Sequence, residues 1–177
     1  MKRADKKCQM QLSFGMIFSI FLIIIFLALA FYAIKKVLET SEWVKIRGEI
    51  NRLQEDVNEV YRSSAGNFET PGDYKFSGKI KQVCFIDYGC GTANCRRGNG
   101  NADVYETMEV YFDGKENLFF YPEYSSNGVN AVEIKNIDIN EITKTNNPYC
   151  IENEDGDGVQ VYLKKNEGNP LLIIEKA

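Results

Sequence analysis

The chain has 177 residues, 21 of them basic and 25 acidic, for a net charge of −4, and it contains no histidine. That length fits one ordinary domain with an appendage. Zero histidine excludes Ser-His-Asp and Cys-His catalysis, histidine zinc sites and histidine-held haem, and the acidic balance argues against a nucleic-acid partner.

Residues 1–11 are short and basic, with Lys2, Arg3, Lys6 and Lys7 against Asp5. Residues 12–34 follow with no charge at all. As a helix these residues would span about 35 Å, enough for a hydrocarbon core of about 30 Å. The run is longer than the apolar region of a removable secretory signal, and Lys35-Lys36 closes it where a small-residue cleavage site would stand. A membrane-spanning helix is therefore expected. Basic flanks are balanced: four basic residues precede the run, and Lys35, Lys36, Lys45 and Arg47 follow it. Charge by segment is not balanced. Residues 1–41 carry six basic and two acidic residues; residues 42–177 carry 15 and 23. This favours a cytoplasmic N-terminus and an extracellular C-terminal portion.

The helical pattern continues past the apolar run. Trp43, Ile46, Ile50, Leu53, Val57 and Val60 recur at alternating steps of three and four, a narrow apolar seam on an otherwise charged helix. No proline precedes Pro71, and Gly66 is the expected terminator. One helix of about 80 Å over residues 12–65 is expected, with Gly48 as a place where it could bend. The seam suits a helix packed on its own domain, a coiled-coil stalk, or a helix whose inner half packs on identical helices.

From residue 66 onward all four prolines and most glycines appear, and short β-type runs alternate with turn signals. Strands are expected within 74–87, 104–112, 118–121, 129–134, 149–152, 159–163 and 171–174, with Asn127-Gly128 as a hairpin turn. No helical pattern of comparable strength recurs after Gly66. The predicted architecture is α+β: a long N-terminal transmembrane and amphipathic helix, then a mainly antiparallel β-sheet head of five to seven strands. Its parts are a leader (1–8), a helix (9–65, membrane segment 12–34) and an extracellular β-rich head (66–177).

Cys84, Cys90, Cys95 and Cys150 fall in the head, and an even four on the outer side fits two disulfides. Of three connectivities, Cys84–Cys150 and Cys90–Cys95 are preferred: the first pair sits in two strand-like runs of matching pattern, and the second brackets a short loop. Buried reduced cysteines and a four-cysteine zinc site are the competing readings, the latter lacking paired C-x2-C knuckles.

Asn153, Asp155 and Asp157, followed by Gly158, place oxygen ligands at alternate positions as in the first half of a calcium loop. Lys164 stands where a closing glutamate belongs, so Glu152 or Glu167 would have to complete the shell. An Asp-Gly turn before the next strand explains the same residues. The Phe119, Phe120, Tyr121 and Tyr124 cluster is expected to fill the core. The loop Gly98-Asn99-Gly100-Asn101 and the pair Arg96-Arg97 read as solvated. No phosphate loop, metal-binding helix or nucleophile elbow is present.

The N-terminal block carries the most specific signal. Lys6-Lys7-Cys8-Gln9 ahead of the apolar run resembles the class III leader of archaeal type IV pilins and pilin-like proteins. In that family a membrane peptidase cuts on the cytoplasmic side. The resemblance implies a basic pair at Lys6 and Lys7, a cut after Cys8 and a mature chain starting at Gln9. Cys8 replaces the usual glycine or alanine, and Ser13 stands at the fifth mature position, where an acidic residue is common. The resemblance implies a non-enzymatic structural subunit of a type IV pilus-like filament or its assembly machinery. Its partners would be the membrane, a prepilin-type peptidase, and identical or related subunits bound through the helix; no cofactor is implied. The alternatives are a single-pass anchored binding module that does not polymerise and, with no residues to support it, a membrane-tethered enzyme.

Overall fold

The computed structural model describes residues 14–63, 68–90, 95–98 and 101–177. Helix α1 (Phe14–Arg62) is continuous through Gly48, which is exposed and has no neighbour where a side chain would begin. The chain divides into two compact units, one ending at Glu39 and the other Thr40–Ala177.

In the second unit the seam of α1 is the wall of the core. Ile46, Ile50, Leu53, Val57 and Val60 are all buried, whereas Trp43 remains 37% exposed under the Arg47 guanidinium, 4.5 Å from the ring centre. The polar side chains beside the seam have partners as well. Gln54 accepts from the Lys135 N–H at 2.8 Å and donates to Lys135 O at 3.3 Å, and Asn58 accepts from Asn136 Nδ2 at 2.9 Å. Lys165 Nζ donates to the Tyr61 and Ser63 carbonyls at 2.8 Å each, capping the C-terminal end of α1, where unpaired carbonyls favour a cation.

Among the described residues seven strands form two antiparallel sheets, where one sheet was expected. The three-stranded sheet has the order β1-β6-β7, with β1 Phe68–Tyr74, β6 Val159–Lys165 and β7 Leu172–Lys176. Val159, Val161 and Leu163 of β6 point to the core. β1 was not expected because Pro71-Gly72 reads as a turn; a proline is tolerated there because β1 is an edge strand. Gly72 is required by packing: a Cβ would lie 2.6 Å from the Tyr74 ring. That ring is buried, and its hydroxyl donates to Asp56 Oδ2 on α1 at 2.7 Å. Burial, then the Asp56 carboxylate, raise the phenol far above its ordinary range.

The four-stranded sheet has the order β4-β3-β2-β5, with β2 Gln82–Phe85, β3 Leu118–Tyr121, β4 Ala131–Val132 and β5 Tyr149–Glu152. Both of its faces are covered, and the period-2 alternation assigns each residue. Val83, Phe85, Leu118, Phe120 and Ile151 face the main core with α1, whereas Cys84, Ile86 and Phe119 face a second cluster. That second face is covered by α2 (Ala102–Met108), followed by a 3-10 turn at Glu109–Tyr111. The strand expected over 104–112 is thus a helix. Val104 and Met108, one turn apart, are both buried against Cys84 and Phe119, and Asn101 caps the helix by accepting from the Asp103 N–H at 3.1 Å. A third short helix, α3 (Ile139–Ile142), is capped by Asp138.

The Asn127-Gly128 turn has φ of 51° and 93°, the left-handed pair of a type I′ turn, closed by Val129 N–H to Ser126 O at 3.2 Å. It sits inside a longer connection between β3 and β4, not at a two-residue hairpin tip. Phe119 and Phe120 are fully buried and Tyr121 partly so, as a core cluster requires, but Tyr124 is 72% exposed.

Candidate membrane segment and disulfide-bonded head

Every residue of α1 from Gly15 to Glu39 is exposed. Phe26, Phe31 and Tyr32 show 67–71% of their surface. By length and composition α1 can cross a membrane. Ser19, in the middle of the apolar run, donates to Gly15 O at 2.8 Å, so its hydroxyl is satisfied within the helix, and the other described hydroxyl, that of Tyr32, lies near the charged end of the run. Lys35 and Glu39 pair across one turn at 3.9 Å, where the charged residues resume. The leader residues Lys6, Lys7, Cys8 and Gln9 lie outside the described residues.

In the head, Cys84 on β2 and Cys150 on β5 stand directly opposite in the register and are bonded, with Cα atoms 4.0 Å apart. Cys90 and Cys95 are bonded with Cα atoms 5.8 Å apart. The Cys90–Cys95 bridge is held in place by Asn147, which is fully buried. Its Oδ1 accepts from the Asp87 N–H at 3.0 Å, and its Nδ2 donates to Asp87 O and Cys95 O at 2.7 and 2.8 Å. Its backbone exchanges two bonds with Arg97. Arg97, read as part of a solvated loop, is therefore pinned by its main chain. Nothing in the sequence marks Asn147 beyond its place before Pro148.

Of the calcium-loop residues, the side chains of Asn153 and Asp157 are described. Asn153 is 1% exposed, donates to Ser77 O and Ile80 O at 3.1 and 2.8 Å, and accepts from the Gly158 N–H at 3.2 Å. Both ends of its amide are thus used to close the loop onto the segment before β2. Asp157 is exposed and the side chain of Asp155 lies outside the description. Among the described residues no three His, Cys, Asp or Glu side chains converge as metal ligands.

Near the start of the head, Glu42 Oε2 accepts from Lys79 Nζ and Asn127 Nδ2, both at 2.7 Å. These hydrogen bonds, Lys79 first, hold the carboxyl below the ordinary glutamate range. A depressed carboxyl stabilises the fold above its unfolded pKa, and the gain disappears as pH falls through the folded value. Glu42→Gln should therefore leave acid unfolding less steep while changing neutral stability by under about 1 kcal/mol, as for any exposed pair. Urea midpoints measured from neutral pH down through the acid range would show this, and parallel curves for both proteins would contradict it.

Comparison with protein-family models, curated proteins and solved structures returns no match to this chain.

Proposed function

We propose that this chain is an archaeal type IV pilin-like surface protein: a structural subunit of a pilus-like filament or of its assembly machinery, with the leader cut after Cys8. The observation that carries the reading is the division of labour along α1. Among the described residues, those of α1 from Gly15 to Leu38 are all exposed, while Ile46 to Val60 build the core of the head. Bare apolar helix surface is stable only in lipid or against other apolar helices. A subunit that moves from membrane to filament exchanges one cover for the other. Disulfides in the head suit an oxidising exterior, with the N-terminus in the cytoplasm.

A second reading, a single-pass anchored binding module that does not polymerise, is favoured by Ser13, which supplies no acidic group at the fifth mature position. Mass spectrometry of the intact protein from native membranes separates the two. The pilin-like reading expects an N-terminus at Gln9 and multimers held through the apolar helix. An N-terminus at Met1 or Lys2 with a monomer in mild detergent would overturn it and leave the anchored module.

A further inference from the structure

Strand edges carry unpaired backbone N–H and C=O groups that proteins ordinarily blunt or cover. Three of the head's sheet edges are managed in this way. β1 carries Pro71, and β4 is two residues long. On β7, Leu172 donates to Asn136 O and accepts from the Asp138 N–H at 3.0 and 2.7 Å, and the Lys176 N–H donates to Tyr149 Oη at 2.8 Å.

β5 is different. The Asn153 N–H donates to Lys81 O at 2.9 Å, one step beyond the Gln82–Glu152 pair of the ladder. Antiparallel pairs alternate between bonded and non-bonded. The bonded pairs are then Val83–Ile151 and Phe85–Tyr149, and the backbone groups of Cys150 and Glu152 point away from β2. The 4.0 Å Cα separation of Cys84 and Cys150 agrees with a non-bonded pair. Among the described residues nothing pairs with these four outward groups.

The surroundings specify what would fit. Two grooves, of about 350 and 260 Å³, run between β5 and the C-terminal end of β7. The first has an apolar floor of Tyr149, Ile173 and Ile174, and the charges around it cancel, Glu141 and Glu175 against Lys144 and Lys176. The second is lined by Ile151 and by three carboxylates, Glu152, Glu154 and Asp157, against one cation, Lys176. A strand laid along β5 would send alternate side chains toward these grooves and the others to the Cys150–Glu152 face. The first set suits apolar residues, and the acidic rim suits lysine or arginine.

We infer that the free edge of β5 is a strand-addition site for an extended segment of a partner protein that alternates apolar and basic residues. Main-chain bonds to Cys150 and Glu152 supply the recognition, and the grooves and acidic rim supply the selectivity.

The test uses the full chain in detergent micelles and a hexapeptide alternating lysine and valine. Binding should slow amide exchange at Cys150 and Glu152. A copy of the peptide N-methylated at every amide, which cannot donate from either of its edges, should bind about tenfold more weakly. Glu152→Pro removes an outward N–H and spares the β2 ladder, so it should weaken binding by a similar factor. Glu152→Gln should weaken it less, with the difference fading at high salt. If that proline variant fails to fold, the N-methylated peptide on the unaltered protein decides. Equal affinity for both peptides, or unprotected Cys150 and Glu152 amides, would overturn the proposal in favour of plain charge attraction. Concentration-dependent protection of the same amides without peptide would overturn it in favour of a second copy of this chain.

Discussion

A fragment of residues 40–177 is expected to fold and remain in solution without detergent, whereas a fragment of residues 66–177 is expected to be largely unfolded. The second boundary is where the sequence texture changes, but it discards Ile46, Ile50, Leu53, Val57 and Val60, all of them buried in the main core. Burying one such side chain contributes about 1.5–3 kcal/mol, so five contribute about 7–15 kcal/mol. A domain of this size is stable by only about 5–15 kcal/mol in total. The loss is larger still, because the Gln54 bonds to Lys135, the Asp56 bond to Tyr74 and the Lys165 cap go with the helix. The shorter fragment would also expose Phe85, Phe120 and Leu163 to water. Circular dichroism melts and amide spectra of the two fragments would check this. A cooperative transition in the 66–177 fragment within a few degrees of the longer one would mean that α1 is an accessory and not a wall of the core.

The contrast shows what was legible in the residues. The seam from Ile46 to Val60 could be read because helical periodicity is local: each residue's neighbours are three and four positions away. β3, β5 and β6 could be read for the same reason, from short alternating or apolar runs between turn residues. β1 could not. Its partner β6 lies about 90 residues later, and locally Pro71-Gly72 looks like a turn. The run from Val104 to Phe112 was misread because β-branched and aromatic residues favour strands. The outcome was decided by a distant demand, that of the Cys84 and Phe119 face for a cover, together with the Asn101 cap. Division into two sheets is likewise a matter of long-range pairing. The site divides in the same way. The apolar run is local, whereas the Asn147 clamp and the open edge of β5 arise only from the fold, and no residue type announces them.

Removing the Cys84–Cys150 bridge is the other change with a large expected effect, and its size should exceed that of removing Cys90–Cys95 by about twofold. The first closes a loop with a sequence separation of 66, the second one of 5. Loop-closure entropy gives about 4 kcal/mol for the first and about 2 kcal/mol for the second. At about 2–4 °C per kcal/mol for a domain of this size, a Cys84→Ala/Cys150→Ala variant should melt roughly 8–16 °C lower, and Cys90→Ala/Cys95→Ala roughly half as far. Packing adds to the first figure, because Cys84 is fully buried beside Val104, Met108 and Phe119. It adds less to the second, because Asn147 holds Cys95 O through its own side chain whether or not the bridge is present. Reductant on the unaltered protein should reproduce the sum of the two shifts, and no shift on reduction would mean that the head does not depend on either bridge. The same chemistry reports on the compartment. If the head lies outside the cell, protein taken from native membranes under thiol-blocking conditions should show no free thiol at these four positions. Labelling of Cys84 and Cys150 in unfolded but unreduced protein would place the head in a reducing space and overturn the outward topology on which the surface role depends.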